Sequence, residues 1–406
     1  MSHPKKTSSI PGFRKLSIPE RRLRIAEATG IDPSALEEAL TRCDGDAATA
    51  DAMVENAIGT FALPFGVAFH MQINGEDVLV PMAIEEPSVI AATSHAAKRV
   101  RAAGGFQAEA DDSLMTAQIE VHDVADSAEA TRRVREAKDE LVARANEAIP
   151  GLVRRGGGAR DLCVRDLGGG YVVTHVEVDC LDAMGANLVN TVAEALGSRV
   201  AELSGGELGL RILSNYCERR CVRVSCRLPV EGLGDARVSG QEAARGVASA
   251  STFAERDPYR AVTHNKGIMN GVDAVVLATG NDWRAVEAAA HAFAAKGGRY
   301  APLATWRLTD DDQTLEGRLE MPLALGTVGG ALRAHAGARI ALALLGVSSA
   351  SELAMVAAAT GLATNLAALR ALSTEGIQRG HMALHQRAIR PDTETSRASE
   401  SSRGNG

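Results

Sequence analysis

The chain predicts a mixed α/β protein with an α+β middle, and three observations carry that expectation. From residue 111 to about 219 the apolar periodicity runs strand, helix, strand, strand, helix, strand, which is the βαββαβ or ferredoxin-like order. Before it, two apolar runs flank Asn74-Gly75, a hairpin signal. After it, Gly-rich connections lead to an Ala-rich helical stretch from Ser351.

Residues up to about 58 read as short helices, with Pro19 and Pro33 each in a first turn. Phe61 to Ile73 and Asp77 to Ile84 are the hairpin strands. Pro87 then opens a helix from Ser88 to about Ala103 that stops at Gly104-Gly105. Glu86 therefore falls at a strand-to-helix junction, at the positive end of a helix dipole. Leu114 to Val124 alternates as a strand, and Ser127 to Ala148 is a charged amphipathic helix. Arg160 to Arg165 and Tyr171 to Asp179 are strands joined across Gly168-Gly-Gly170. Met184 to Leu203 is a helix and Leu208 to Ser214 a strand. Helix extends from Ser351 to about residue 389, and residues 390–406 cannot bury a core and read as a disordered tail.

A length of 406 residues suits two or three domains with a sizeable core. The chain is 45% hydrophobic and 23% charged, as globular proteins are. No uninterrupted apolar run is long enough to span a membrane, and no apolar core follows the N-terminal Met-Ser-His-Pro-Lys-Lys, so neither a membrane protein nor a secretory signal is expected. A net charge of −7 argues against a nucleic-acid surface. Six cysteines make no disulfide framework. Cys217, Cys221 and Cys226 cluster, but without a fourth ligand or zinc-module spacing; reduced thiols in a strand region and a cytoplasmic setting fit better, and no metal is expected.

Lys266 is the residue that asks for chemistry. It is one of only seven lysines, set in Asp257-Pro-Tyr-Arg-Ala-Val-Thr-His-Asn-Lys-Gly-Ile-Met-Asn-Gly271 with no amphipathic pattern around it. A compact ammonium can be tuned by its surroundings where a guanidinium cannot. It needs an anionic neighbour, and Asp282 is the one expected. Glu86 reads either as an acid favoured near a helix start or as a carboxyl that donates protons near neutrality. Arg260 can grip a carboxylate bidentately, or can form a surface ion pair. Asp182-Ala-Met-Gly-Ala-Asn187 begins a helix straight after a strand. Its small residues would let a pyrophosphate approach free backbone N–H groups, or Asp182 is an ordinary N-cap. No G-x-G-x-x-G follows a strand here, so a nicotinamide site would need such another device. His381 and His385 are four apart but lack the glutamate of H-E-x-x-H. His70, His95 and His291 form no constellation and read as packed or solvated.

Several segments, in one order over residues 10 to 389, resemble the bacterial (class II) 3-hydroxy-3-methylglutaryl-coenzyme A (HMG-CoA) reductases. They are Glu55-Asn-Ala-Ile-Gly59, Pro81-Met-Ala-Ile-Glu-Glu-Pro-Ser88, Asp182-Ala-Met-Gly-Ala-Asn187, Asn265-Lys-Gly-Ile-Met-Asn-Gly271, Ala278-Thr-Gly-Asn-Asp282, Gly326-Thr-Val-Gly-Gly330 and Glu375-Gly-Ile-Gln-Arg-Gly-His-Met382. The resemblance implies a large helix-rich substrate domain (1–110 and 220–374) with an inserted ferredoxin-like cofactor-binding domain (111–219). A C-terminal flap remnant (375–389) and the tail (390–406) would follow. It implies reduction of HMG-CoA to mevalonate and coenzyme A with two hydrides from NAD or NADP, or the reverse, and no metal.

Carried over residue by residue, Glu86, Lys266, Asp282 and His381 are catalytic. Lys266 would stabilise the thioester oxyanion, Asp282 would keep it charged, His381 would protonate the departing thiolate, and Glu86 would supply the last proton. Ser88, Arg260, Thr263 and Asn270 would contact substrate, and Arg14 a coenzyme A phosphate. Asp182, Met184, Gly185, Ala186, Asn187 and Asn215 would hold the dinucleotide. The family builds its site between subunits, which implies a homodimer and, in class II, hexamers.

The chain departs from the family at a shortened flap and at Ile149, where some members carry an aspartate suited to a ribose hydroxyl. Arg154 or Arg155 could accept a 2′-phosphate instead. Ala331-Leu332 and Thr364 stand where members show Ala-Thr and, in some, glutamine. A catalytically impaired acyl-CoA-binding homologue, or a reductase of another acyl-CoA, are the competing readings.

Overall fold

Asn74 and Gly75 both take positive φ, 52° and 88°, and reverse the chain between β1 (Phe65–Ile73) and β2 (Glu76–Ala83). The computed structural model describes residues 15–29, 32–34, 37, 47–329, 332, 335–374 and 376. Helices α1 (Ile18–Thr29) and α2 (Ala47–Met53) precede the hairpin. Buried Arg21 and Arg22 of α1 donate to Ala57 O and Ile58 O at 2.9 and 2.6 Å, which fixes the Glu55–Gly59 segment. Helix α3 (Val89–Ala102) starts one residue later than expected and ends before Gly104 and Gly105, both at positive φ.

β3 (Gln107–Ala110) leads out of this part of the molecule. The chain then forms β4 (Leu114–His122), α4 (Ser127–Glu136), α5 (Lys138–Ala148), the single turn α6 (Pro150–Val153), β5 (Gly158–Gly168), β6 (Tyr171–Asp179), α7 (Ala186–Ser204) and β7 (Glu207–Ser214). These strands make one antiparallel sheet in the order β5-β6-β4-β7. Strict alternation along β4 puts Met115, Ala117, Ile119 and Val121 on its buried face. They meet Val134 of α4, Leu141 of α5 and Val189, Val192 and Leu196 of α7 in a core of their own. The expected single helix from Ser127 to Ala148 is instead two, broken at Ala137.

The chain returns beside its exit. Asp111 N–H donates to Cys221 O at 2.9 Å, and Arg223 pairs with Asp111 at 2.7 Å. β8 (Cys221–Pro229) begins there, followed by α8 (Gly240–Arg256), α9 (Pro258–Ala278), α10 (Trp283–Ala294), β9 (Ala304–Leu308), β10 (Thr314–Pro322), α11 (Ala336–Leu345) and α12 (Ala350–Ser373). The second four-stranded sheet has the order β3-β8-β10-β9. Its core includes Phe106, Trp306, Leu228 and Leu315, with the Trp306 indole donating to Asn365 Oδ1 at 2.7 Å.

Helix α12 is long and apolar enough to cross a membrane, yet it packs inside the protein against α3, α8 and α9. Leu353, Val356, Leu362, Leu366 and Leu369 are fully or almost fully buried, each worth about 1.5–3 kcal/mol.

Cys217, Cys221 and Cys226 are buried free thiols, all pushed up by burial: Cys217 to about 11, Cys221 and Cys226 to about 12.

Candidate active site

Lys266 lies inside helix α9, where its sequence shows no apolar stripe. The helix has a clear start all the same: Asp257 accepts from Arg260 N–H at 3.0 Å, and Pro258 occupies the first turn. Its depth in the protein comes from glycine. A Cβ on Gly271 would sit 2.6 Å from Thr364 Oγ1 and 2.7 Å from Thr360 O, and one on Gly361 would sit 2.8 Å from Val272, so α9 and α12 approach closely at glycines on both helices. Thr364, buried, bonds back to Thr360 O and Gly361 O within α12.

On the open face of α9, Arg260, Thr263, Lys266, Gly267 and Asn270 recur every three or four residues and line a cavity of about 510 Å³. Glu86 and Ser88 come into it from the β2–α3 junction. Lys266 Nζ donates to Glu86 Oε2 at 2.8 Å, and Asn270 Nδ2 approaches the same oxygen at 3.3 Å. Ser88 holds φ 75°, a strained value for a non-glycine residue, and caps α3 without a side-chain hydrogen bond to it. Arg260 is half-buried, and burial pulls its pKa below the usual arginine value; among the described residues no carboxylate pairs with its guanidinium. The cavity thus holds a cation–carboxylate pair, an amide and a second cation, a set suited to an anionic substrate whose carbonyl oxygen gains charge.

One expected partnership is not made within the single chain. Lys266 pairs with Glu86 and not with Asp282. The Asp282 carboxylate caps α10, accepting from Arg284 and Ala285 N–H at 3.1 and 3.2 Å, and lies 3.3 Å from the Arg284 guanidinium. A helix start directly after Gly280 claims it first. Nor is the site dry in this chain alone: the Lys266 side chain is 61% exposed. Arg14 and His381 lie outside the described residues.

A second cavity, about 560 Å³, opens where β6 hands over to α7. Asp182, Met184, Gly185, Ala186 and Asn187 line it as expected. Asn215 does not: it is exposed beyond the end of β7. The helix starts at Ala186, two residues later than the periodicity predicts, because Gly185 at φ 106° forms its N-cap. No side chain caps α7, and Ala186, Asn187 and Leu188 of its first turn line the cavity. A Cβ on Gly185 would collide with the Cys180 thiol and Met115, so the backbone lies flush against the sheet. Asp182 is no cap for this helix; its Oδ1 accepts from Ala350 N–H of α12 at 2.9 Å. These residues fit a dinucleotide pyrophosphate on a bare helix N-terminus.

Two further residues hold the cavity and were assigned no role from the sequence. Buried Arg220 donates to Met184 O at 3.1 Å and Leu325 O at 2.6 Å. Asn281, in the turn after α9, donates to Gly326 O and accepts from Gly326 N–H, at 3.1 and 2.8 Å. A Cβ on Gly326 would be 2.6 Å from Met184 N. The turn that ends the Lys266 helix is thereby tied to the loop of the second cavity. Around the first cavity, His95, Arg99, Asn365 and Arg370 were also missed. Arg99 and Arg370 are engaged with Gly232 O and Asp235, and their charges, after burial, push the His95 pKa down.

Comparison with known proteins gives a single answer. Residues 17–386 match the family described as hydroxymethylglutaryl-coenzyme A reductase. A 3-hydroxy-3-methylglutaryl-coenzyme A reductase of Archaeoglobus fulgidus is 47% identical over 386 residues, 94% of this chain and 87% of the relative. A class II reductase of Streptococcus pneumoniae, solved bound to NADPH in open conformations, superposes with a TM-score of 0.79 at 42% identity, covering 90% of this chain and 100% of that one. Another structure of the Streptococcus pneumoniae enzyme gives 0.80 at 41% identity, over 95% and 93% of the two chains.

Proposed function

This chain belongs to the hydroxymethylglutaryl-coenzyme A reductase family, and from that premise we propose which of its residues carry the reaction and where. It is an oxidoreductase of mevalonate metabolism that uses a nicotinamide cofactor. The Lys266 cavity is the reaction site and the Gly185 cavity holds the dinucleotide. The sheet β5-β6-β4-β7 with its helices is the ferredoxin-like cofactor domain of residues 111–219, inserted into the substrate domain at the Asp111–Cys221 contact.

The observation that carries this reading is the convergence of Lys266 and Asn270 on Glu86, with Arg260, which no described carboxylate pairs, in the same cavity. When bound, the cofactor supplies hydride, once to the thioester and once to the aldehyde that follows. Lys266 Nζ places a positive charge where the carbonyl oxygen becomes an anion. Asn270 orients the Glu86 carboxyl, which gives its proton to the oxygen of the second reduction. Arg260 grips the distal carboxylate of the substrate bidentately, and Ser88 and Thr263 line its path. His381 is assigned the proton for the departing coenzyme A thiolate, Arg14 a coenzyme A phosphate, and Asp282 the upkeep of Lys266 in the assembled site.

That site needs a cover over the exposed Lys266. We assign it to a second subunit: Tyr259 and Val262, on the same helix, are 87% and 51% exposed. A homodimer, extended to a hexamer, in a reducing cytoplasm follows from this reading. The test is nicotinamide oxidation by the purified protein with HMG-CoA, run separately with NADH and NADPH. Coenzyme A release at half the rate of nicotinamide oxidation is expected. HMG-CoA binding without turnover on either cofactor would replace the reading with that of an impaired homologue.

A further inference from the structure

The second cavity carries two charged side chains in contrasting situations. Asp182 is engaged with the start of α12 through Ala350 N–H. Arg155 is exposed, and among the described residues no carboxylate holds its guanidinium. The nearby acid, Asp179, is taken by Arg160 at 3.0 Å. Every other described lining residue is uncharged.

The turn that follows Arg155 is tightly constrained. Gly156 and Gly158 take φ of 96° and 123°. A Cβ on Gly157 would lie 2.7 Å from Asp179 O and 2.8 Å from the Leu152 side chain. The turn is therefore pressed against the end of β6, the strand that leads into the Asp182–Asn187 loop. Arg154, one residue earlier, does not line the cavity.

The two nicotinamide dinucleotides differ only in the phosphate on the adenosine 2′-oxygen. A free carboxylate in the cavity would favour the diol and repel the phosphate, whereas a free guanidinium does the reverse and can bind two phosphate oxygens at once. We infer that Arg155 binds that 2′-phosphate and makes this protein select NADPH over NADH. The inference rests on the second cavity being the dinucleotide site.

Fluorescence titration of the full chain with NADPH and with NADH, without substrate, tests it. The wild type should bind NADPH more tightly. Arg155→Ala should weaken NADPH about ten- to a hundredfold and leave NADH unchanged. Arg154→Ala should change neither. The side chain is exposed, so the variant should keep the wild-type melting temperature. A wild type that favours NADH overturns the inference, as does an Arg155→Ala variant whose two affinities shift together or not at all. Failure of the wild type to bind either dinucleotide overturns the cavity assignment as well, which separates the two failures.

Discussion

The cavity around Lys266 and the cavity at Gly185 are made by opposite means. The first consists of side chains that are present: Lys266, Glu86, Asn270 and Arg260 converge on it from two parts of the fold. The second consists largely of side chains that are absent. Gly185 lies flush on Cys180 and Met115, Gly326 on Met184, and an uncapped helix start faces the opening. Charges that stabilise a developing anion must be positioned individually. A pyrophosphate can be held by backbone N–H groups alone if nothing stands in front of them. Substitutions should therefore fail differently at the two sites.

The largest effect is expected from Lys266→Ala. An ion pair this exposed contributes about 0–1 kcal/mol, so the variant should melt within a degree or two of the wild type. Turnover should fall at least a hundred- to a thousandfold, roughly the loss seen when an oxyanion donor is removed. NADPH affinity should not move. Near-normal turnover would sink the assignment, and a large drop in melting temperature would make Lys266 structural.

Gly185→Ala should behave in the opposite way. Positive φ and the collision with Cys180 are expected to cost about 1–3 kcal/mol of stability. Dinucleotide binding should weaken while coenzyme A binding persists. Unchanged NADPH affinity in a stable variant would show that the second cavity is not built from its glycine.

How far each cavity could be read from the sequence follows from the same contrast. The hairpin at Asn74-Gly75, the α3 stop at Gly104 and the strand and helix order from 114 to 214 were legible, because turn chemistry and alternation are local signals. So was the bare helix start after Asp182. Helix α9 was hidden, since it is packed through Gly271 on one side and polar on the other and has no apolar stripe to read. Only Asp257-Pro258 marked its start. β3, β9 and β10 are short or paired far along the chain, and β8 showed only as a strand-like region around its cysteines. Arg220 and Asn281 act on backbone carbonyls and an N–H across the molecule, a role that residue type does not announce. Within the chain Lys266 pairs with Glu86 for the related reason that the carboxylate nearer in sequence, Asp282, caps its own helix.

Asp282 gives a smaller effect that separates its two roles. Asparagine caps helices about as well as aspartate, whereas alanine costs about 1 kcal/mol. Asp282→Ala should lower stability by that amount and Asp282→Asn by almost none. If the charge also serves Lys266 in the assembled enzyme, both variants should lose turnover alike. Loss with alanine only would leave Asp282 a cap and nothing more.

The last effect is a pH dependence and belongs to Asp273, two turns beyond Lys266 on α9. Burial, a hydrogen bond with Glu287 and the repulsion of that second carboxylate push its pKa up to about 8. In the unfolded chain it titrates near 3.8, so between these values the folded state holds a proton that the unfolded state has released. Its contribution to stability is complete below the lower value and is lost as pH rises through the upper one. Buried His264, on the same helix, runs the other way. Its pKa is pushed down to about 4, so its contribution is complete above 6.5 and is lost as pH falls toward 4. Helix α9 is thus strained at both ends of the range. The uncharged Asp273→Asn should lack this slope, so relative to the wild type its melting temperature should climb as pH rises from about 4 to about 8 and hold level above that. In the wild type, hydrogen exchange of α9 and α10 should accelerate over that rise relative to β4 and β6, after correction for intrinsic rates. An unchanged pH slope in the variant would mean that Asp273 ionises freely, and that the charged side of the comparison ends at the Lys266 cavity.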